Sequence, residues 1–305
     1  MIATGSTLNA EAILKGRSLW VDARRRLFRN RAALASIIAL GTIALLALFA
    51  PLLSPYAYDE INYEIVSCAP GWWPSATACH AGGAHIFGTD AVGRDLFVRV
   101  LYGARVSLAV GLVATLVSLL IGVLYGATAG YLGGRIDGLM MRAVDVLYSL
   151  PFVFFVIILM VVFDRNFILL FVAIGAVEWL TMARIVRGQT LSIKQKEFIE
   201  AARAGGVGGF AIIRRHVIPN VVGPVVVYVT LTVPGVILTE SFLSFLGLGV
   251  QEPLTSWGVL ISEGANSMET APWMLAFPAI FMAVTLFCFN FIGDGLRDAL
   301  DPRDR

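Results

Sequence analysis

The sequence predicts an all-α polytopic membrane protein with six transmembrane helices and with both termini in the cytoplasm. Three observations lead to this fold class. Hydrophobic residues make up 58% of the 305 residues and charged residues only 14%, well below the roughly 25% of soluble domains. Six apolar runs approach or exceed the length of about 20 residues that a spanning helix needs. Basic residues are concentrated in alternate connections between these runs.

The apolar runs divide the chain into a first span, a long periplasmic loop and a core of five further spans. The first run follows a basic segment and is too long for the apolar part of a signal peptide, so we expect it to be retained. Prolines 151, 234 and 278 fall inside runs and predict kinks. The predicted segments are the cytoplasmic tail 1–32, the first span 33–53, the periplasmic loop 54–103, the core 104–294 with spans 105–130, 143–163, 167–185, 220–246 and 272–293 and the cytoplasmic loop 186–219, and the cytoplasmic tail 295–305.

The orientation follows from the positions of Lys and Arg. With the N-terminus inside, 19 of the 23 basic residues lie on the cytoplasmic side, and the outer loop 248–271 contains none. The remaining four are Arg94, Arg99, Arg105 and Arg165. This asymmetry satisfies the rule that cytoplasmic loops are enriched in Lys and Arg. The net charge of +2 is too small to indicate a nucleic acid partner.

Glycines recur at every fourth position in the second span. The four are Gly122, Gly126, Gly130 and Gly134. Small residues at this spacing form one face of a helix and let a neighbouring backbone approach closely in the membrane. The spacing therefore predicts a helix-packing face, against the alternative that glycine is simply frequent in membrane helices.

Cysteine and histidine give no sign of a metal site. The three cysteines contain no C-x-x-C pair, and His80, His85 and His216 lack the spacing of helical metal ligands. Cys68 and Cys79 lie in the outer loop, where thiols can oxidise. The ten residues between them leave open whether they form a disulfide or stay free.

No catalytic motif is present, so we expect no catalytic residue and no enzyme activity in this chain. The lysines are Lys15, Lys194 and Lys196, and none follows the glycine pattern of a phosphate-binding loop. A G-x-S-x-G elbow and an H-E-x-x-H helix are also lacking. A transport protein of this kind takes energy from a partner or from a gradient, or works passively.

Two carboxylates fall within predicted spans, namely Glu178 and Glu240. Ionisable groups at membrane depth are candidates for a translocation path. The alternative is a structural carboxylate that meets Arg or backbone donors between helices. A gradient-driven secondary transporter would use such groups, but the sequence shows no inverted repeat to support that class.

The stretch EFIEAARAGGVGGFAIIRRHVIPN (197–220) is a polar, small-residue segment between two apolar runs. Its composition predicts two short helices along the cytoplasmic face, broken at Gly205 and Gly206, with Pro219 opening the next span. Small side chains at Ala201 and Ala202 would fit a groove on another protein. The alternative is an amphipathic loop on membrane lipid headgroups.

The same stretch resembles the signature of binding-protein-dependent ABC importer permeases. The pattern E-A-A-x-x-x-G begins at Glu200, and nine residues after its glycine comes His216-Val217-Ile218-Pro219. The wider family has an apolar residue in place of His216, and histidine there is similar to the peptide and nickel branch. Within that branch the chain resembles the C-type permease subunit of oligopeptide importers. Further similar stretches are GRSLWVDARRRLFRNRAALAS (16–36), HIFGTDAVGRDLFVRVLYGARVSL (85–108), SFLSFLGLG (241–249), SWG (256–258) and FNFIGDGLRDALDPRDR (289–305).

This resemblance implies a type I ABC importer permease fold in a bacterial inner membrane. The implied partners are a homologous second permease in a heterodimer, one or two cytoplasmic ATPase subunits that use ATP and Mg, and a periplasmic peptide-binding protein. The implied cargo is oligopeptides, with dipeptides or nickel as alternatives, and no cofactor is bound by this chain. The implied ATPase-coupling residues are Glu200, Ala201, Ala202, Arg203, Gly205, Gly206, His216 and Pro219.

Overall fold

The computed structural model describes residues 19–73, 85–163 and 167–300, and throughout these ranges the regular elements are helical. Most of the chain lies in long helices joined by short connections. The helices are α1 (Leu19–Arg29), α2 (Arg31–Leu48), α3 (Ala50–Leu53), α4 (Leu96–Leu132), α5 (Gly134–Ser149), α6 (Phe152–Val162), α7 (Phe167–Ile193), α8 (Glu197–Ala204), α9 (Gly209–Ile212), α10 (Ile218–Phe245), α11 (Trp257–Asn266) and α12 (Trp273–Leu300).

Within the described residues, four helical segments are long and apolar enough to cross a membrane. They are α2, α4, the continuous segment Gly209–Phe245 that ends with α10, and α12. The pair α5 and α6 adds a fifth if it is counted as one span. Helix α7 is 27 residues long and packs mainly against α4.

The predicted span 143–163 is not one straight helix. It is divided between α5 and α6, which meet at an angle of 77°. The break falls at Leu150 and Pro151, both in extended conformation with ψ of 130° and 110°. A residue before proline is driven out of the helical region by the proline ring, which explains the break at this position.

Several helices extend beyond their predicted ends. Helix α4 begins at Leu96 instead of 105, α7 continues to Ile193 instead of 185, and α12 continues to Leu300 instead of 293. Hydropathy locates the part of a helix that lies in lipid, whereas the backbone hydrogen bonds continue past it. The start of α4 is set by a cap, because the Asp95 carboxylate accepts a hydrogen bond from the Val98 N–H at 2.8 Å.

Three glycines of the predicted packing face lie against α7. A Cβ at Gly122 would come within 2.6 Å of Met182, one at Gly126 within 2.3 Å of the Ala183 carbonyl oxygen, and one at Gly130 within 2.8 Å of Thr190. Only glycine allows this approach of the two helices.

The fourth glycine departs from the prediction. Gly134 is the first residue of α5, has a φ of 56°, and has open space where a Cβ would lie. Helix α4 ends at Leu132, so the four-residue periodicity does not continue to Gly134.

The outer loops are tied together by ion pairs that centre on the buried side chains of Asp90, Arg94 and Arg99. Arg94 contacts Asp90 at 2.6 Å and Glu252 at 2.8 Å, and Arg99 contacts Asp90 and, at 2.8 Å, Glu263. Burial alone would raise the pKa of the Asp90 carboxyl, but Arg99 and the hydrogen bonds from Arg94 outweigh it and hold that pKa below its usual value. The segment before α4 is thus joined to the loop that carries α11.

The cysteines have different states. Cys68 is disulfide-bonded, and Cys288 is a buried free thiol on α12. Cys79, the partner that the sequence suggests, lies outside the described residues, so the pairing of Cys68 with Cys79 stays a prediction.

Candidate functional site

The predicted coupling segment forms one short helix that lies between two long ones. After α7 ends at Ile193, the chain turns and α8 occupies Glu197–Ala204. Gly206 has a φ of 76°, a left-handed conformation that glycine adopts without strain, and it turns the chain back toward the membrane. Gly205, by contrast, has an ordinary φ of −75°.

The second predicted short helix is not separate from the span that follows. Helix α9 continues through a π-helical turn, Ile213–Val217, into α10 without a break. Pro219 therefore lies in the first turn of α10 but within a longer helical segment that starts at Gly209. Proline lacks a backbone N–H, and its position directly after the π-helical turn is consistent with that altered hydrogen bonding.

One face of α8 is packed onto the rest of the chain. Ile199 is fully buried among residues of α4, α7 and α10. The Arg203 guanidinium lies 5.1 Å from the ring centre of Tyr131 at the end of α4, with its Nε donating to the Tyr131 hydroxyl at 3.4 Å. A Cβ at Gly209 would meet the same ring at 3.1 Å. Helix α8 is thus anchored to the inner end of α4.

The opposite face of the segment is exposed and carries most of the predicted coupling residues. Glu200, Ala201, Gly205, Gly206 and Pro219 are exposed, and Ala202 and His216 are half-buried. Arg203 is also exposed, although its guanidinium lies against Tyr131.

Two aromatic side chains stand out on this exposed face: Phe198 is 44% exposed and Phe210 is 76% exposed. Exposed aromatic side chains beside charged residues are typical of protein-binding surfaces. The sequence reasoning missed Phe210 because it read that residue only as part of an apolar segment.

Glu178 lines a cavity that the break between α5 and α6 creates. The cavity has a volume of about 320 Å³ and is half open. Its lining comes from both sides of that break, from α7 and from α10: Leu147, Tyr148, Leu150, Phe152, Val177, Glu178, Thr181 and Thr239. Among the described residues, no hydrogen bond or ion pair to the Glu178 carboxylate is found.

Two arginines of α7, which follow Glu178 in the direction of the coupling segment, form ion pairs with carboxylates of α5. Arg184 contacts Asp145 at 2.8 Å and lies 4.5 Å from the ring centre of Tyr148, which lines the cavity. Arg187 makes two hydrogen bonds to the Asp137 carboxylate, at 2.5 and 2.6 Å. Sequence reasoning missed both pairs, because residues about 40 to 50 positions apart carry no local signal.

Glu240 does not line this cavity, so its place on a translocation path stays a prediction. It is fully buried, and its carboxylate accepts hydrogen bonds from Ser256 at 2.6 Å and from Ser244 at 2.7 Å, with Ser107 at 3.5 Å. A buried carboxylate that is satisfied by hydroxyl donors stabilises the packing of the elements that supply them. In this arrangement Glu240 joins α10 to α4 and to the start of α11.

No metal-binding cluster occurs among the described residues: no three His, Cys, Asp or Glu side chains lie close enough together to hold an ion.

Comparison with known proteins gives two family matches that together cover most of the chain. Residues 97–305 match the family described as binding-protein-dependent transport system inner membrane component. Residues 18–70 match the N-terminal TM domain of oligopeptide transport permease C.

Individual relatives agree with these matches. The oligopeptide transport system permease protein OppC of Escherichia coli (strain K12) is 62% identical over 96% of this chain and 94% of its own length. The protein of the same name from Haemophilus influenzae is 56% identical over 97% of this chain and 92% of its length. The dipeptide transport system permease protein DppC of Bacillus subtilis is 45% identical over 93% of this chain and 86% of its length.

The matches and the geometry agree on the class of protein. Several long apolar helices and a family of inner membrane components place the chain in the inner membrane as a multi-pass protein. The family model alone covers more than half of the chain. The chain belongs to the family of binding-protein-dependent transport system inner membrane components.

Proposed function

We propose that this chain is a permease subunit of an ATP-driven ABC importer that carries oligopeptides across the bacterial inner membrane. The observation that carries the proposal is α8: a short helix anchored to α4 on one face, with Phe198 and Glu200 exposed, and followed by the exposed Phe210 of α9. The relatives at 56 and 62% identity, which are named as oligopeptide permeases, supply the substrate class.

The proposed topology has six transmembrane helices and two cytoplasmic termini in a type I importer fold. Counting α7 as a span, beside the four long segments and the bent pair of α5 and α6, gives six. The concentration of Lys and Arg in alternate connections supports the cytoplasmic position of both termini.

The proposed complex contains a homologous second permease, one or two cytoplasmic ATPase subunits that use ATP and Mg, and a periplasmic peptide-binding protein. This chain contributes no catalytic residue and binds no cofactor. The exposed side chains of α8 and α9 dock in the ATPase, with Phe198 of α8 and Phe210 of α9 as apolar anchors and Glu200 as a charged contact.

The anchoring of α8 supports a route by which force reaches the membrane. Because Ile199 and Arg203 hold α8 against α4, a shift of the ATPase cleft moves α8 together with the inner ends of α4 and α10. Packed helices move as rigid bodies between discrete arrangements and do not deform continuously. The α5–α6 break and the cavity at Glu178 then lie on the path that opens and closes.

The proposal is tested with the complete transporter in proteoliposomes. Phe210→Asp and Glu200→Arg are expected to reduce ATP-dependent peptide uptake at least about tenfold while the complex still reaches the membrane, because each change removes or reverses a contact. Ser192→Asp, at an exposed position near the end of α7, is the control and retains uptake. Normal uptake by both the Phe210 and the Glu200 variant would contradict the coupling role.

The same assay separates the other candidate functions. The relative from Bacillus subtilis at 45% identity is named as a dipeptide permease, so uptake is compared for dipeptides, longer peptides and nickel ions. We expect peptides longer than two residues to be carried best. Uptake that persists without ATPase subunits and collapses with the proton gradient would instead identify a secondary transporter.

A further inference from the structure

Glu178 differs from the two acidic side chains of α5 that lie near it. Asp137 and Asp145 on α5 are each paired with an arginine of α7. Glu178 lies on the same helix as those arginines, yet no cation contacts it in the described residues, because Arg184 and Arg187 point to α5. The Tyr228 phenol of α10 lies within electrostatic range but carries no positive charge.

An ionised carboxylate without a partner at a partly buried position raises the free energy of the folded protein. Removing a charge from water without a partner is unfavourable, and an opposite charge nearby offsets that cost. An arginine at this position would satisfy Glu178 permanently, and none lines the cavity. The cavity is therefore suited to a cation that binds reversibly.

The cavity has the size and polarity for part of a peptide chain. Its volume of about 320 Å³ corresponds to on the order of ten water molecules, which is far more than one structural water needs. Thr181 and Tyr148 supply hydroxyl groups for peptide groups, Thr239, whose hydroxyl donates to the Gly235 carbonyl, can still accept, and apart from Glu178 the other lining side chains are apolar. A few convergent polar groups on an apolar wall are typical of a ligand site.

We propose that the cavity binds the amino-terminal ammonium group of a peptide in transit, with Glu178 as its counter-charge. This inference rests on the proposed function and adds a contact within the path. An unmodified peptide has an α-ammonium whatever its side chains, so a carboxylate at this point serves cargo of any sequence. The contact is transient, because a half-open cavity leaves the ion pair partly solvated and therefore weak.

The proposed contact of the ammonium group with Glu178 lies beside the side chains that join α5 to α7. Tyr148 lines the cavity and carries the Arg184 guanidinium over its ring, and Arg184 in turn contacts Asp145. An occupant of the cavity thus lies against the side chain that joins α5 to α7.

The first test reads the charge of the cavity without any transport. Thr239→Cys is introduced as a reporter in the assembled transporter, in a Cys288→Ser background, because Cys288 is a free thiol whereas Cys68 is disulfide-bonded. The reaction rates of a cationic aminoethyl and an anionic sulfonatoethyl methanethiosulfonate are compared. We expect the ratio of these rates to fall about tenfold when Glu178 is changed to Gln.

A control reporter checks that this change is local. Gly188→Cys lies on α7 in open space, away from the cavity lining, and its rate ratio should not respond to Glu178→Gln. An unchanged ratio at Thr239→Cys would overturn the proposal, since it would mean that Glu178 sets no field in the cavity.

The second test uses peptides of one length with and without an N-acetyl group, and an N-acetylated peptide with an internal lysine. For each peptide, uptake by Glu178→Gln is expressed as a fraction of wild-type uptake. Both transporters use the same binding protein, so its preference among the peptides cancels in this fraction. We expect about a tenfold loss for the free amino terminus, no loss for either N-acetylated peptide, and recovery in Glu178→Asp.

Other patterns overturn the assignment. Equal loss for all three peptides would show a structural role for Glu178, and loss that follows the internal lysine would assign the cavity to basic side chains. The absence of ATP-dependent uptake in the wild type would refute the proposed function itself. The cysteine reporters would still read the charge of the cavity in that case, so the two failures are distinguishable.

Discussion

Ser256 donates a hydrogen bond from its hydroxyl to Glu240, with an Oγ–Oε1 distance of 2.6 Å. Ser256 is also the N-cap of α11, where its hydroxyl accepts from the Val259 N–H at 3.2 Å. A single contact therefore connects the outer end of a proposed span with the start of an outer helix. Ser244 adds a second donor to the same carboxylate oxygen.

Replacement of Glu240 by Ala should destabilise the protein by about 2–4 kcal/mol, because it leaves buried serine hydroxyls unsatisfied and opens a cavity. Glu240→Gln keeps the volume and one acceptor, so its effect should be smaller. The measurement is thermal unfolding of the purified protein in detergent. Equal stability of Glu240→Ala and the wild type would contradict the role assigned to this carboxylate.

Replacement of Gly126 by Ala should destabilise the α4–α7 contact by about 1–3 kcal/mol, because the new Cβ meets backbone that cannot move aside. Gly188→Ala is the matched control, since nothing lies within 4 Å of its Cβ position. That change should be neutral or stabilising by up to about 1 kcal/mol through helix propensity. Thermal unfolding and the yield of monodisperse protein measure both variants, and equal behaviour of the two would exclude the packing role.

Features with a local or periodic signal could be predicted from the sequence. The all-helical membrane class, the apolar runs and the contact of Gly122, Gly126 and Gly130 with another helix follow from composition and spacing. The site of the coupling segment followed from its polar composition and from its resemblance to a family. The bend at Pro151 was predicted only as a kink, since proline indicates where a helix breaks but not by what angle.

Features that depend on distant residues could not be predicted. Glu178 and Glu240 look alike in the sequence, as single carboxylates in apolar runs. They differ because Glu240 faces serines of α4 and α11, whereas Glu178 faces a cavity that exists only because α6 turns away from α5. The exposure of Phe210 likewise depends on a distant residue, because the adjoining Gly209 lies against the ring of Tyr131.

Acidification should weaken the outer region through Asp90. Its folded-state pKa lies below the usual 3.8, so its pairing with Arg94 and Arg99 contributes fully above about pH 4 and is lost as the pH falls through the folded-state value. Asp90→Asn should cost about 3 kcal/mol at neutral pH, because it leaves Arg99 buried with less compensation.

The measurement is the midpoint of thermal unfolding from pH 7 to pH 3. The difference between the wild type and Asp90→Asn should shrink toward the acidic end, since protonation removes the same charge that the variant lacks. A difference that stayed constant over this range would contradict the assignment of the acid sensitivity to Asp90.

The pair of Asp137 and Arg187 should stabilise the contact of α5 with α7. Its geometry is bidentate, but the Arg187 side chain is 34% exposed, so water weakens the interaction. A double-mutant cycle with Asp137→Asn and Arg187→Gln should give a coupling of about 1 kcal/mol in thermal unfolding. Arg187→Lys should not replace the arginine, because an ammonium group cannot make two parallel hydrogen bonds to one carboxylate. Additive single effects would show that the two side chains are neighbours without mutual stabilisation.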